Sequence, residues 1–119
     1  MAIGDNNLKL ASGIDPQVMV PGEVYELAMH VHTEAGQNFS WTNYTPKMRV
    51  DVGSLSTTYT GTVVNAGGGT AGFSLTAVQT ATFASNAWGR IVLYADPNTG
   101  SENLHIATID LRTTNEVIP

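Results

Sequence analysis

Three histidines are the residues best suited to chemistry in this chain. His30-Val31-His32 sets two imidazoles two positions apart, which puts both on one side of an extended strand. Metal sites in β-barrels use this spacing, and His105 could add a third nitrogen from across a sheet. A catalytic metal needs three or more converging ligands with oriented partners behind them, and nothing in the sequence brings His105 or Glu26 beside the pair. His30 and His32 are therefore expected on the polar face of an amphipathic strand, holding no metal. With no cysteine, thiol catalysis, cysteine zinc sites and disulfides are all excluded. No Gly-x-Ser-x-Gly elbow is present, and the cluster Gly67-Gly68-Gly69 lacks the lysine and helix start of a phosphate loop, so it reads as a hairpin tip. Ten acidic residues could supply a carboxylate pair for glycoside hydrolysis, but apart from one aromatic cluster nothing marks a sugar cleft. The chain is expected to be no enzyme and to need no cofactor.

The aromatic cluster is Phe39, Trp41 and Tyr44, in a segment with loop chemistry. Loop aromatics either anchor the end of a fold or offer a binding platform, which makes Trp41 and Tyr44 candidate partner-binding residues and a carbohydrate-binding module the alternative from another functional class. Asn38-Phe39-Ser40 and Asn43-Tyr44-Thr45 match the glycosylation acceptor pattern, but Met1 to Asp15 shows no secretory signal and both read as chance matches. A formal charge of -5 over fifteen charged side chains gives no basic stripe, so nucleic acid is not an expected partner. No apolar stretch approaches the length of a membrane span.

Short strands must position these residues. A chain of 119 residues, 42% hydrophobic and 13% charged, fits one compact core. Residues 1–15 read as an extended N-terminal arm, and 16–119 as a single β-sandwich domain. In the arm, Gly4, Asn6, Asn7 and Gly13 favour turns, while Ile3, Leu8, Leu10 and Ile14 recur often enough to dock on another surface. Tyr25, Leu27, Met29 and Val31 alternate with polar neighbours, as do Met48, Val50 and Val52 with Lys47, Arg49 and Asp51, which is the period of a half-buried strand. Thr57 to Val64 is rich in β-branched residues, and Ala71, Phe73 and Leu75 alternate again. Thr76 to Phe83 lacks glycine and proline and spaces Ala77, Val78, Ala81 and Ala84 by three and four, predicting a short helical turn. Asp96-Pro97-Asn98-Thr99-Gly100 predicts a hairpin loop between the run Arg90 to Ala95 and the last strand, Asn103 to Leu111. That last strand breaks alternation. Leu104 and Ile106 fall on one face and Ala107, Ile109 and Leu111 on the other, so one set is expected inside and the other against a neighbouring subunit or the arm, or under the chain's own loops.

Gly72-Phe73-Ser74-Leu75-Thr76-Ala77-Val78-Gln79-Thr80-Ala81, followed by Trp88-Gly89-Arg90-Ile91-Val92-Leu93-Tyr94, resembles the small immunoglobulin-like domains of bacteriophage virions. Among these it resembles notably the N-terminal domain of baseplate upper proteins and related tail or fibre-attachment proteins. Upstream, Thr42-Asn43-Tyr44-Thr45-Pro46-Lys47-Met48-Arg49-Val50 is similar to the family's "Thr-Gly-Tyr-Thr-x-x-x-x-Val" passage, with asparagine in place of the usual glycine. The resemblance spans about residues 17 to 112. Pro21-Gly22-Glu23-Val24 departs from the family's "Gly-Asp-Thr" lead. It implies an all-β, immunoglobulin-like antiparallel sandwich located in a virion, with other virion proteins as partners and a homo-oligomer or symmetric array as the assembly. The role implied is a tail, neck or baseplate connector, the alternative being a capsid decoration (cement) protein. Ile3, Leu8, Leu10, Ile14, Trp41, Tyr44, Leu104 and Ile106 are the expected partner-binding residues.

Overall fold

The computed structural model describes residues 8–10, 17–33, 35–100 and 102–114. Among them the strands are β1 (Lys9–Leu10), β2 (Gln17–Met19), β3 (Tyr25–His32), β4 (Thr45–Val52), β5 (Leu55–Thr60), β6 (Thr62–Asn65), β7 (Thr70–Leu75), β8 (Trp88–Asp96) and β9 (Leu104–Thr113), with one helical turn, α1 (Ala77–Thr80). The protein is all-β. A four-stranded sheet runs β1-β3-β7-β6 and a five-stranded sheet runs β2-β9-β8-β4-β5. Every pairing is antiparallel except that of β2 with β9.

The alternating strands turn one side inward and share one core. Tyr25, Leu27, Met29 and Val31 of β3 and Ala71, Phe73 and Leu75 of β7 meet Met48, Val50 and Val52 of β4 and Ile91, Leu93 and Ala95 of β8. Lys47, Arg49 and Asp51 take the opposite face of β4, as period two requires. The chain changes sheets at Gly61, between β5 and β6. A Cβ there would sit 2.5 Å from the Gly72 carbonyl oxygen and 2.6 Å from the Phe73 ring, so only glycine lets the two sheets come this close at the crossing.

Three expectations change. The turn at α1 lies inside the expected stretch and is closed by a capping box, in which the Thr76 hydroxyl accepts from the Gln79 N–H at 3.2 Å and the Gln79 side chain accepts from the Thr76 N–H at 2.8 Å. It is the single helical turn expected, but the spacing of Ala77, Val78, Ala81 and Ala84 builds no buried face. Thr80 and Phe83 are buried instead, and Val78 is 79% exposed. The second change is in β9, where the register with β8 shifts: Leu93 pairs with Ala107 and Tyr94 with His105, leaving Ile106 as an extra residue. This bulge resets the alternation, so Ile106, Ile109 and Leu111 are all buried and Leu104 and Ala107 pack against the same core. Neither Leu104 nor Ile106 belongs to an outward face. The third change is at the expected arm. Leu8 is buried in the core, and Lys9–Leu10 pairs with β3 at His32 and Val31, so this part of residues 1–15 docks on its own chain. Ile3 and Ile14 lie outside the described residues.

Candidate functional site: the outer face of the five-stranded sheet

His30 and His32 share the outer face of the four-stranded sheet, their rings 4.8 Å apart edge to face, with His30 Nε2 2.9 Å from Asn38 Oδ1. His105 lies on the other sheet, exposed, 2.9 Å from the Thr108 hydroxyl. The two outer faces look in opposite directions, so the fold does not bring the three imidazoles together. Trp41 is only 1% exposed and stacks edge to face on Phe39 at 5.0 Å, while Tyr44 is half-buried against the same Phe39 at 5.1 Å. The cluster therefore closes one end of the core, and Trp41 offers no surface to a partner.

The surface that does offer side chains is the outer face of the five-stranded sheet, and the register fixes its layout. Across β2, β9 and β8, Val18 sits beside Arg112 and Arg112 beside Trp88. The next row reads Asp110, Arg90, Asp51 and Ser56 across β9, β8, β4 and β5, and the one after it Thr108, Val92, Arg49 and Thr58. His105, Tyr94, Lys47 and Thr60 follow. Trp88 is 72% exposed and Val18 48%, large apolar groups left in water on rigid strands.

Four of the five basic residues of the chain, Lys47, Arg49, Arg90 and Arg112, stand on this face. Their acidic counterparts there are Asp51, Asp110 and, at the loop end of β8, Asp96, so the face carries a surplus of one positive charge while the rest of the chain carries a surplus of six negative charges. The Asp51 carboxylate is shared: Arg49 Nε approaches at 3.2 Å, Arg90 Nε at 3.4 Å, and the Ser56 hydroxyl donates at 2.5 Å. The Ser56 hydrogen bond is the largest effect on this carboxyl; burial opposes it, and with Arg90 and Arg49 adding to Ser56 the group is held below its ordinary range. The Arg112 guanidinium has no carboxylate within salt-bridge reach among the described residues and lies over the Trp88 ring, 5.7 Å from its centroid.

No family model and no curated protein matches the chain. Exposed tryptophan, tyrosine and arginine are the side chains that dominate binding energy at protein interfaces, because each combines large apolar area with a polar or charged group. The sequence signal for this site was the polar phase of the alternating strands: Lys47, Arg49 and Asp51 on β4, and Trp88, Arg90, Val92 and Tyr94 on β8. Trp88 lies outside the run Arg90 to Ala95, which concealed the rest of the second set, and counting charges along the chain concealed how the sheet gathers them.

Proposed function

We propose that this chain is a non-enzymatic structural component of a bacteriophage particle, a tail, neck or baseplate connector built as an immunoglobulin-like β-sandwich. Two sheets in the order β1-β3-β7-β6 and β9-β8-β4-β5 correspond to the A-B-E-D and G-F-C-C′ orders of immunoglobulin domains, with β2 added in parallel beside the last strand. This order supports the resemblance drawn from Gly72 to Tyr94, and fold alone does not assign a role. The observation that carries the role is the exposed sheet face, where Trp88, Val18 and Arg112 form a patch of the kind that a subunit presents to its neighbours. Burial of Trp41 in the core takes away the platform on which the sugar-binding alternative rested.

The test is mass spectrometry of gradient-purified particles encoded by the same genome, with gold-labelled antibody to locate the protein. The expected result is a multicopy component labelled at the tail, neck or baseplate. Label over the head would replace the connector with capsid decoration, and absence from particles would overturn the reading.

A further inference from the structure

The outer face of the four-stranded sheet, on the far side of the molecule, is hollow where its counterpart is studded. Ala28 of β3 pairs with Gly72 of β7, which pairs in turn with Thr62 of β6, so the middle of this face carries almost no side-chain bulk. A shallow depression of about 490 Å³ results, with Ala28 and Gly72 on its floor, Glu26 and Ser74 at one end, and Thr62 and Val64 along the β6 side. Gly72 is not demanded by the fold. A Cβ there would have the Leu27 carbonyl oxygen, at 3.4 Å, as its single neighbour within 4 Å, and the residue does not adopt a positive φ. A glycine in mid-strand weakens the strand and marks a place where another group approaches closely. Among the described residues, only the Leu27 carbonyl oxygen comes within 4 Å of that open side.

We propose that this depression receives the Trp88 and Arg112 pair of a second copy of the chain. The two surfaces are complementary in charge: among the described residues, neither Arg112 nor the exposed Glu26 has a salt-bridge partner. They are complementary in shape and polarity, because the floor of Ala28 and Gly72 is open to a flat ring and Val64, 69% exposed, supplies an apolar wall for an indole that is 72% exposed. The attraction of Arg112 for Glu26 favours this orientation. Knob and socket lie on opposite sheets, so the contact is head to tail and repeats into a ring or a filament according to its rotation. This rests on the reading of the chain as an assembly component. Its test uses purified protein in solution, so its failure is separate from absence of the chain from particles.

The experiment is sedimentation velocity on wild type, Trp88→Ala, Gly72→Trp and Arg112→Glu, each first confirmed as folded by circular dichroism melting. Wild type should sediment as oligomers at low salt and move toward monomer as salt rises. Trp88→Ala lacks the knob and Gly72→Trp fills the socket, so each alone should be monomeric, whereas their equimolar mixture should give a one-to-one dimer that grows no further. Arg112→Glu should weaken association about tenfold, and its mixture with Glu26→Arg should restore it, which keeps the test decisive if Gly72→Trp folds poorly. Wild type that stays monomeric at low salt, or mixtures that stay monomeric, would overturn the proposal. So would association of Gly72→Trp at wild-type strength, or a wild type that binds an oligonucleotide through Arg112 in place of itself.

Discussion

Gly61 and Gly72 face each other where β6 meets β7, and alanine should have opposite effects at the two positions. At Gly61 the new methyl would lie 2.5 Å from the Gly72 carbonyl oxygen and 2.6 to 2.7 Å from two carbons of the Phe73 ring. The carbonyl belongs to a strand paired on both sides, and Phe73 is 4% exposed within the core, so neither can retreat freely. Overpacking of this kind costs about 1–3 kcal/mol, and the stiffening of the unfolded chain by alanine returns about 0.4–1 kcal/mol. The net loss expected for Gly61→Ala is about 1–2 kcal/mol, a fall of several degrees in Tm. At Gly72 the methyl meets one carbonyl oxygen at ordinary contact distance, so Gly72→Ala keeps the gain alone and should be neutral or more stable by up to about 1 kcal/mol. Urea unfolding followed by tryptophan fluorescence measures both, with unchanged slopes as the sign that only stability has moved. A neutral Gly61→Ala beside a destabilised Gly72→Ala would refute the packing assigned to the sheet crossing and, with it, the statement that Gly72 is free of internal constraint.

Thr80 is fully buried, and its hydroxyl accepts from the Gly22 N–H at 3.0 Å and donates to the Glu23 carbonyl at 2.7 Å, tying α1 to the turn before β3. Thr80→Val should cost about 1–3 kcal/mol in urea unfolding, with Thr80→Ser losing less, and a neutral valine would show that these bonds contribute nothing. Because the bulge turns both apolar sets of β9 inward, the pair Leu104→Lys with Ile106→Lys and the pair Ile109→Lys with Leu111→Lys should each fail to fold by circular dichroism; a folded first pair would place those residues outside. Burial pushes the Tyr25 phenol up from 10.0 to about 12, so the folded state favours its neutral form. That contribution is complete below pH 10 and should be lost as pH climbs toward about 12, a loss that Tyr25→Phe should reduce in alkaline unfolding curves. An identical alkaline profile in that variant would remove Tyr25 as the cause.

The strands were legible because period two is written plainly in Tyr25 to Val31 and in Lys47 to Val52, and the loop at Asp96 to Gly100 because proline and glycine fix its dihedrals. The bulge at Ile106 was not, since an extra residue is visible only against its partner strand, and without it the sequence pattern splits into two faces. Trp41 read as a possible platform because its neighbours are loop residues, yet its backbone N–H donates to the Ala66 carbonyl at 3.0 Å and the ring is drawn into the core. The site itself was spread over five strands. Arg112, Trp88 and Val18 are distant in sequence and adjacent only through the pairings of β8 and β2 with β9.

Particles assembled with Trp88→Ala or Arg112→Glu in place of the wild-type chain test most directly whether the outer face of the five-stranded sheet builds the particle. Copy number per particle is counted by mass spectrometry against an isotope-labelled standard, after melting curves show that each variant is folded. Wild type should be present in many copies, and each variant should fall about tenfold in occupancy, as expected when a central interface residue is lost. Wild-type occupancy by both variants would contradict the assignment of that face.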